Sequence, residues 1–246
     1  MNAYEQQAKF ELEIWKKGML KEPSFTDVLS RNIQNKINNV IPDKVHEAIT
    51  YTIQKMVQAV LFGSGYTTSK PLKDASLQYR EAFAKRQIEI YKKTASAEGA
   101  LTGAGGILLG LADFPLLLGI KIKLLFEIAS LYGYDVKDYR ERLYLLYIFQ
   151  LAFSSRKRQK EVFEYLCNWN DHVQTLPAQV EEFDWRTFQQ EYRDYIDLAK
   201  MAQLVPVIGA AVGAIANYKL IAKLGNTAIN CYRMRADFAE HNKKLL

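Results

Sequence analysis

The sequence predicts an all-α protein, a multi-helix bundle that contains a buried, Gly-rich apolar helical hairpin. Hydrophobic residues make up 49% of the 246 residues and charged residues 24%, a balance that is typical of a globular chain with a substantial core. Apolar side chains recur at helical spacing along most of the chain. Short alternating runs between turns, which would indicate β-strands, are scarce.

Three helices are predicted near the amino terminus. The first, over about residues 4–20, has four apolar side chains on one face: Ala8, Leu12, Trp15 and Met19. A second helix follows Pro23, and a third begins at Pro42, which fits a first helical turn. The stretch GSGYTTSKP, residues 63–71, then indicates a linker. We therefore divide the chain into an amino-terminal helical segment, residues 1–66, and a main helical domain, residues 67–246.

Positive charge is concentrated in the first part of the chain. Residues 1–93 hold 15 Lys/Arg against 10 Asp/Glu, a net charge of +5, whereas the rest of the chain carries only +1. A basic helix over residues 70–93 is thus a candidate contact for anionic lipid or nucleic acid, with an ordinary solvated surface as the alternative. The residues predicted to contact an anionic membrane surface are Lys73, Arg80, Lys85, Arg86, Lys92 and Lys93.

The most unusual segment is EGALTGAGGILLGLADFPLLLGIKIK, residues 98–123. Fourteen uncharged residues lie between Glu98 and Asp113, and seven more precede Lys121, so neither piece reaches the roughly 20 residues of a membrane span. We favour helix, turn, helix, with Asp113 as an N-cap followed by Pro115 in the first turn. Small residues at helical spacing would then let two backbones approach closely: Gly99, Gly103, Gly106 and Gly110.

A second apolar segment, MAQLVPVIGAAVGAIANY, has 18 consecutive uncharged residues from 201 to 218. This length is at the threshold for a membrane span, but Pro206 interrupts it. Gly209 and Gly213 are again four residues apart, and Asn217 continues the same stripe. We expect the two segments to pack together inside a soluble or peripherally bound helical domain; spanning the bilayer is the alternative.

Between these segments the pattern remains helical. Gly133 is predicted to end one helix, and the acidic run 135–138 to cap the next, whose residues 143–153 are apolar on nearly all sides and should be buried. SSRKRQK, residues 154–160, is predicted to be a basic connector. Further helices are expected over about 161–173, after Asp184, and from about Pro206 into the tail.

Catalytic and metal-binding patterns are scarce. The glycines near Gly103 lack both the Lys-Ser/Thr of a phosphate loop and a preceding strand. Cys167 and His172 are five residues apart and diverge on a helix, so a half-buried Cys and a surface His are preferred to a nucleophile and base. Isolated His and Cys residues predict no metal site and no cofactor. Glu98 and Asp113 are interpreted as structural, and a hydrolase that uses either carboxylate stays an alternative.

The amino terminus lacks a signal-peptide pattern and the glycine required for myristoylation, and two cysteines make no disulfide framework. The expected location is therefore cytoplasmic and peripheral at the inner membrane.

Several motifs occur in an order that resembles the EcsC family of bacterial proteins: AEGALTGAGG, DFP at 113–115, LYGYD at 131–135, VPVIGAAVGAIANY, and a terminal CYRMR within 228–235. The resemblance spans roughly residues 94–235. It implies family-motif positions without assigned chemical roles: Glu98, Gly99, Gly103, Gly106, Asp113, Pro115, Tyr132, Gly133, Asp135, Pro206, Gly209, Gly213 and Asn217. The family takes its name from a protein encoded beside an ABC transporter linked to secretion, and its biochemical role is not established.

Together these observations predict a non-enzymatic protein that binds lipid or a membrane partner through the Gly-rich hairpin and the neighbouring basic helix. The resemblance adds an ABC transporter, or secretion, as the system it would assist. The alternatives are a soluble module that holds a hydrophobic ligand in a helical cavity, and the hydrolase named above. Nucleic acid ranks last as a partner, because no recognised binding motif is present.

Overall fold

A computed structural model describes residues 1–21, 69–103, 114–173 and 209–236, together with Tyr51 and Lys55, which are both helical. In these ranges the chain forms seven helices and no strand, which confirms the all-α prediction. The helices are α1 (Ala3–Met19), α2 (Leu77–Gly103), α3 (Phe114–Leu131), α4 (Tyr139–Phe153), α5 (Arg156–Cys167), α6 (Trp169–His172) and α7 (Gly209–Arg235). Apart from Tyr51 and Lys55, the predicted second and third helices lie outside the described residues, as do the linker up to residue 68, the helix after Asp184, and Pro206.

Polar caps explain where several helices begin. Asn2 and Glu5 form a capping box at the start of α1, and the Asp138 side chain accepts a hydrogen bond from the Arg140 amide at the start of α4. The predicted basic connector over 154–160 is wrong, because Ser155 caps α5 and the helix begins at Arg156. Its charged residues lie on a helix surface, where Arg158 binds Glu161 at 3.0 Å.

The core is built around α4, as the sequence predicts. Tyr144, Phe149 and Phe153 are among the largest fully buried side chains, and α4 packs against both α5 and α7. The Tyr144 hydroxyl donates to the Cys231 carbonyl of α7 at 2.8 Å, so a buried polar group of the central helix is satisfied.

The long helices α2 and α7 share the most extensive interface of the described helices, and α3 packs against both of them. The polypeptide turns between α3 and α4 at Gly133, whose φ of +90° is the left-handed conformation that favours glycine. Arg80 of α2 fixes this turn, because its guanidinium donates to the carbonyls of Lys73, Ala75 and Leu131.

Helix α1 is part of the same packed body. Ala8 and Leu12 are buried, and Trp15 and Met19 pack against the core, so the predicted apolar face of α1 is confirmed. The Trp15 ring meets Phe163 of α5 edge to face at 5.6 Å.

Candidate functional site

The two small-residue segments meet where α2 packs against α7. Asn217 is 2% exposed and its Nδ2 donates to the Ala95 carbonyl of α2 at 3.2 Å. Two turns farther along α7, Gly225 lies against Ile88: a Cβ built at Gly225 would be 2.5 Å from the Ile88 Cδ1 atom. A side chain at Gly225 would therefore push the helices apart, so this glycine sets their separation.

These contacts also fix an antiparallel register. Ala95 is level with Asn217, and Ile88 is level with Gly225. One turn from Asn217 in the opposite direction, away from Gly225, brings Gly99 level with Gly213, and the next turn brings Gly103 level with Gly209. The prediction that the two apolar segments pack against each other agrees with this register.

At this end of the bundle the described helices are almost free of charge. We define the apolar end as residues 94–103 of α2, 114–120 of α3 and 209–218 of α7. Its one charged residue is Glu98, and both carboxylate oxygens of Glu98 are buried. Leu116 and Ile215, in contrast, expose 58% and 56% of their surface. Apolar side chains rather than charges therefore face outward at this end.

Lysines follow directly behind the apolar end on all three helices. Three of them are exposed, Lys93 on α2, Lys123 on α3 and Lys219 on α7, and we call these three the lysine belt. Lys92 is buried, binds Glu89 at 2.6 Å and lies 4.2 Å from the centre of the Tyr218 ring. Lys121 is also buried, with its amine 5.2 Å from the centre of the Phe153 ring.

The basic residues predicted to contact a membrane have different environments. Arg80 is fully engaged in the turn described above, and Lys85 lies 3.8 Å from the buried Glu81. Lys73, Arg86 and Lys93 are exposed, but Lys73 precedes α2 and is far from the apolar end. Arg86 and Lys93 share one face of α2 with the exposed Ile90, so these are the predicted residues nearest to an apolar surface.

The other positions assigned by the family resemblance have mainly structural environments. Tyr132 is buried and stacks on Tyr232 at 5.1 Å, and the Asp135 side chain accepts a hydrogen bond from the Lys137 amide at 2.9 Å. Pro115 is the second residue of α3, in its first turn as predicted. Gly106, Asp113 and Pro206 lie outside the described residues, although α3 begins immediately after Asp113.

A buried ion-pair network at the opposite end of the bundle was not predicted from the sequence. Arg233 of α7 binds Glu81 of α2 through two hydrogen bonds, of 2.7 and 2.6 Å, and binds Glu11 of α1 at 3.0 Å. The Tyr4 hydroxyl donates to Glu81 at 2.7 Å. Burial alone would lower the pKa of Arg233, but its bonds to the two carboxylates raise that pKa overall.

A second network lies beside it. Arg235 binds Glu141 at 2.7 Å and stacks on the rings of Tyr134 and Tyr144, and the Tyr232 hydroxyl donates to the same carboxylate. Burial raises the pKa of Glu141, and the bonds from Arg235 and Tyr232 oppose that rise. The signal in the sequence was the pair of arginines in CYRMR, at the carboxyl end of α7.

A cleft of about 560 Å³ opens between α1, the α5–α6 junction and the end of α7. Arg233 and Arg235 reach its wall, but each is already bound to carboxylates of the protein, so neither guanidinium is a free positive charge for an anion. Cys167 also lines the cleft, and burial raises the pKa of its thiol, whereas His172 stacks on Tyr165 at 4.2 Å. This geometry does not activate a nucleophile.

The described ranges contain no group of three or more His, Cys, Asp or Glu residues that is placed to hold a metal ion. Within the same ranges, no helix combines the length and the apolar character needed to cross a membrane.

The structure thus defines an all-α bundle with a close small-residue helix pair and an exposed apolar end. The chain belongs to the EcsC protein family, which it matches over residues 6–236. It is 49% identical over 222 residues to Protein EcsC of Bacillus subtilis (strain 168), an alignment that covers 90% of this chain and 91% of that relative. Uncharacterized protein YdbA of the same organism is 27% identical over 247 residues, covering 92% and 90% of the two chains. No solved structure matches the chain.

Proposed function

We propose that this protein is a peripheral membrane protein, with a binding rather than a catalytic role, that attaches to a lipid surface through the apolar end of the bundle. The observation that carries the proposal is that Leu116 and Ile215 are exposed at the apolar end, and that the three exposed lysines of the lysine belt lie directly behind this end. Apolar side chains that enter a lipid surface and lysines that meet anionic headgroups are the two components of peripheral membrane binding.

A reversible attachment fits the size of this surface. Burial of each large aliphatic side chain contributes about 1.5–3 kcal/mol, and each lysine near an anionic surface about 1 kcal/mol. A few such residues give measurable but reversible binding. The location that follows is cytoplasmic, at the inner face of the membrane, and the family resemblance supports an ABC transporter as the membrane system that the protein assists.

Flotation of the purified protein with vesicles tests the proposal. One set of vesicles contains phosphatidylglycerol mixed with phosphatidylcholine, and the other contains phosphatidylcholine alone. We expect the protein to float with the anionic vesicles and less with the neutral ones, and we expect added salt to weaken its binding to the anionic vesicles. A protein that remains at the bottom of the gradient with both vesicles would refute direct lipid binding.

A further inference from the structure

The described part of the apolar end extends a similar distance beyond the lysine belt on all three helices. Lys93 precedes Gly103, the last residue of α2, by ten residues, and Lys219 follows Gly209, the first residue of α7, by ten. Lys123 follows Phe114, the first residue of α3, by nine. At about 1.5 Å per residue, the described parts of these helices extend at least ~14–15 Å beyond the lysine belt.

Two members of the lysine belt are fixed at the same level by an observed contact. Asn217 bonds to Ala95, and both residues are two positions closer to the apolar end than Lys219 and Lys93. The ammonium groups are on long, flexible side chains, which can extend along the helix to reach headgroups while their aliphatic stems stay in apolar surroundings. The belt thus matches the position of the headgroup layer around an inserted end.

The opposite end of the bundle carries the charges. Glu81 precedes Lys93 by twelve residues, about 18 Å along α2, and there it holds Arg233 and the docked helix α1. Phe10 on α1 and Tyr79 on α2 are exposed near this end, at 62% and 49%. Their exposure is similar to that of Leu116 and Ile215. However, Phe10 and Tyr79 lie near the charged end of the bundle, and they are not part of an uncharged end bordered by lysines.

We propose that α2, α3 and α7 stand upright on the membrane, with the apolar end directed into the lipid and Lys93, Lys123 and Lys219 at the level of anionic phospholipid headgroups. This inference rests on the proposed membrane-binding function and adds its lipid class and its orientation. In this orientation α1 and the cleft beside it face away from the bilayer, available to the aqueous phase.

Depth-dependent fluorescence quenching tests the orientation. The background is Cys167→Ser, since Cys167 is the exposed cysteine and Cys231 is buried. Single cysteines replace Leu116 or Ile215 at the apolar end, and Phe10 or Tyr79 as controls of similar exposure. Each carries an environment-sensitive fluorophore, and the vesicles contain phosphatidylglycerol, phosphatidylcholine, and a lipid with a nitroxide either at its headgroup or near the middle of its acyl chain.

On binding, labels at 116 and 215 should shift to the blue and lose most of their fluorescence to the acyl-chain nitroxide, while labels at 10 and 79 should do neither. Vesicle binding with no acyl-chain quenching at 116 and 215, or with quenching at 10 or 79, would overturn the orientation while leaving membrane binding intact. Failure of every variant and of the wild type to bind would instead overturn the proposed function.

The lipid class is tested with a paired lysine variant. Lys93→Gln with Lys219→Gln should weaken binding to the anionic vesicles about 25-fold. Each lysine contributes about 1 kcal/mol to binding, and each 1.4 kcal/mol changes the dissociation constant tenfold. Lys9→Gln with Lys73→Gln removes the same charge from exposed sites near the opposite end and should change binding much less. Equal losses in both pairs would show that net charge alone, rather than the belt, recognises the headgroups.

Discussion

Arg233 and Glu81 face each other across the α2–α7 interface, with two hydrogen bonds of 2.7 and 2.6 Å between side chains that are only 4% and 0% exposed. Removal of one member leaves the other as an uncompensated buried charge. We expect Arg233→Met to lower the free energy of unfolding by about 3–5 kcal/mol in urea denaturation.

The control is Lys85→Met, which removes a 3.8 Å ion pair to the same carboxylate from a lysine whose side chain is 55% exposed. Its effect should be about 0–1 kcal/mol, because exposed ion pairs contribute little. The double variant Glu81→Met with Arg233→Met should be more stable than Arg233→Met alone. A single Arg233→Met variant as stable as Lys85→Met would contradict the role of this pair in joining α2 to α7.

The close approach of α2 and α7 at Gly225 predicts a steric effect. Gly225→Ala places a Cβ 2.5 Å from Ile88 atoms and should destabilise the protein by about 1–3 kcal/mol, despite the higher helix propensity of alanine. Combining it with Ile88→Ala should restore part of that loss in thermal or urea unfolding.

Gly119 of α3 provides the matched control, because nothing lies within 4 Å of a Cβ built there. Gly119→Ala should stabilise the protein by about 0.5–1 kcal/mol through helix propensity alone. If the two substitutions shift stability in the same direction, the separation of α2 and α7 is not set by Gly225.

The turn at Gly133 predicts a conformational cost. Its φ is +90°, and an added Cβ would lie 2.7 Å from Nη1 of Arg80, the residue that fixes the turn. Gly133→Ala should therefore cost at least about 1–2 kcal/mol in urea unfolding. Gly18→Ala, where nothing lies within 4 Å, should cost nothing, and a neutral Gly133→Ala would mean that this turn tolerates side chains.

Thiol reactivity reports on the two cysteines separately. Cys167 is exposed, whereas Cys231 is completely buried with a pKa raised well above its usual value by that burial. A chromogenic disulfide reagent should modify one thiol in the folded protein and both in denaturant. Burial also raises the pKa of Cys167, so a smaller fraction of its thiol is ionised near neutral pH. Cys167 should therefore react more slowly than a free cysteine, and its reaction rate should increase toward alkaline pH. Two fast thiols in the folded state would contradict the packing of α7 against α4.

Local features of the fold could be predicted from local sequence. The apolar face of α1, the Asp138 cap, the buried character of α4 and the turn at Gly133 each depend on residues within a few positions of one another. The failure at residues 154–160 has a local cause as well. Five charged or amide side chains in a row resemble a loop, although Ser155 at their start is a good N-cap.

Long-range pairings could not be predicted in the same way. The sequence indicated that the segment after Glu98 packs on another helix. It did not indicate that Ala95 lies level with Asn217, because these two residues are far apart in the chain. Nothing in the basic pattern of α2 distinguishes Glu81, which is buried, from the exposed Glu89. The lysine belt is likewise a property of three helices together, since each helix contributes one lysine to it.

The most direct test of membrane attachment by the apolar end compares two double variants in flotation with anionic vesicles. Leu116→Glu with Ile215→Glu should bind at least about 100-fold more weakly than the wild type, because each aliphatic side chain contributes about 1.5–3 kcal/mol when it enters lipid. Phe10→Glu with Tyr79→Glu changes residues of similar exposure near the opposite end. This variant should bind only slightly more weakly than the wild type, because the added negative charge is its only effect on binding. Equal losses in the two variants, or undiminished binding of the first, would contradict attachment through the apolar end.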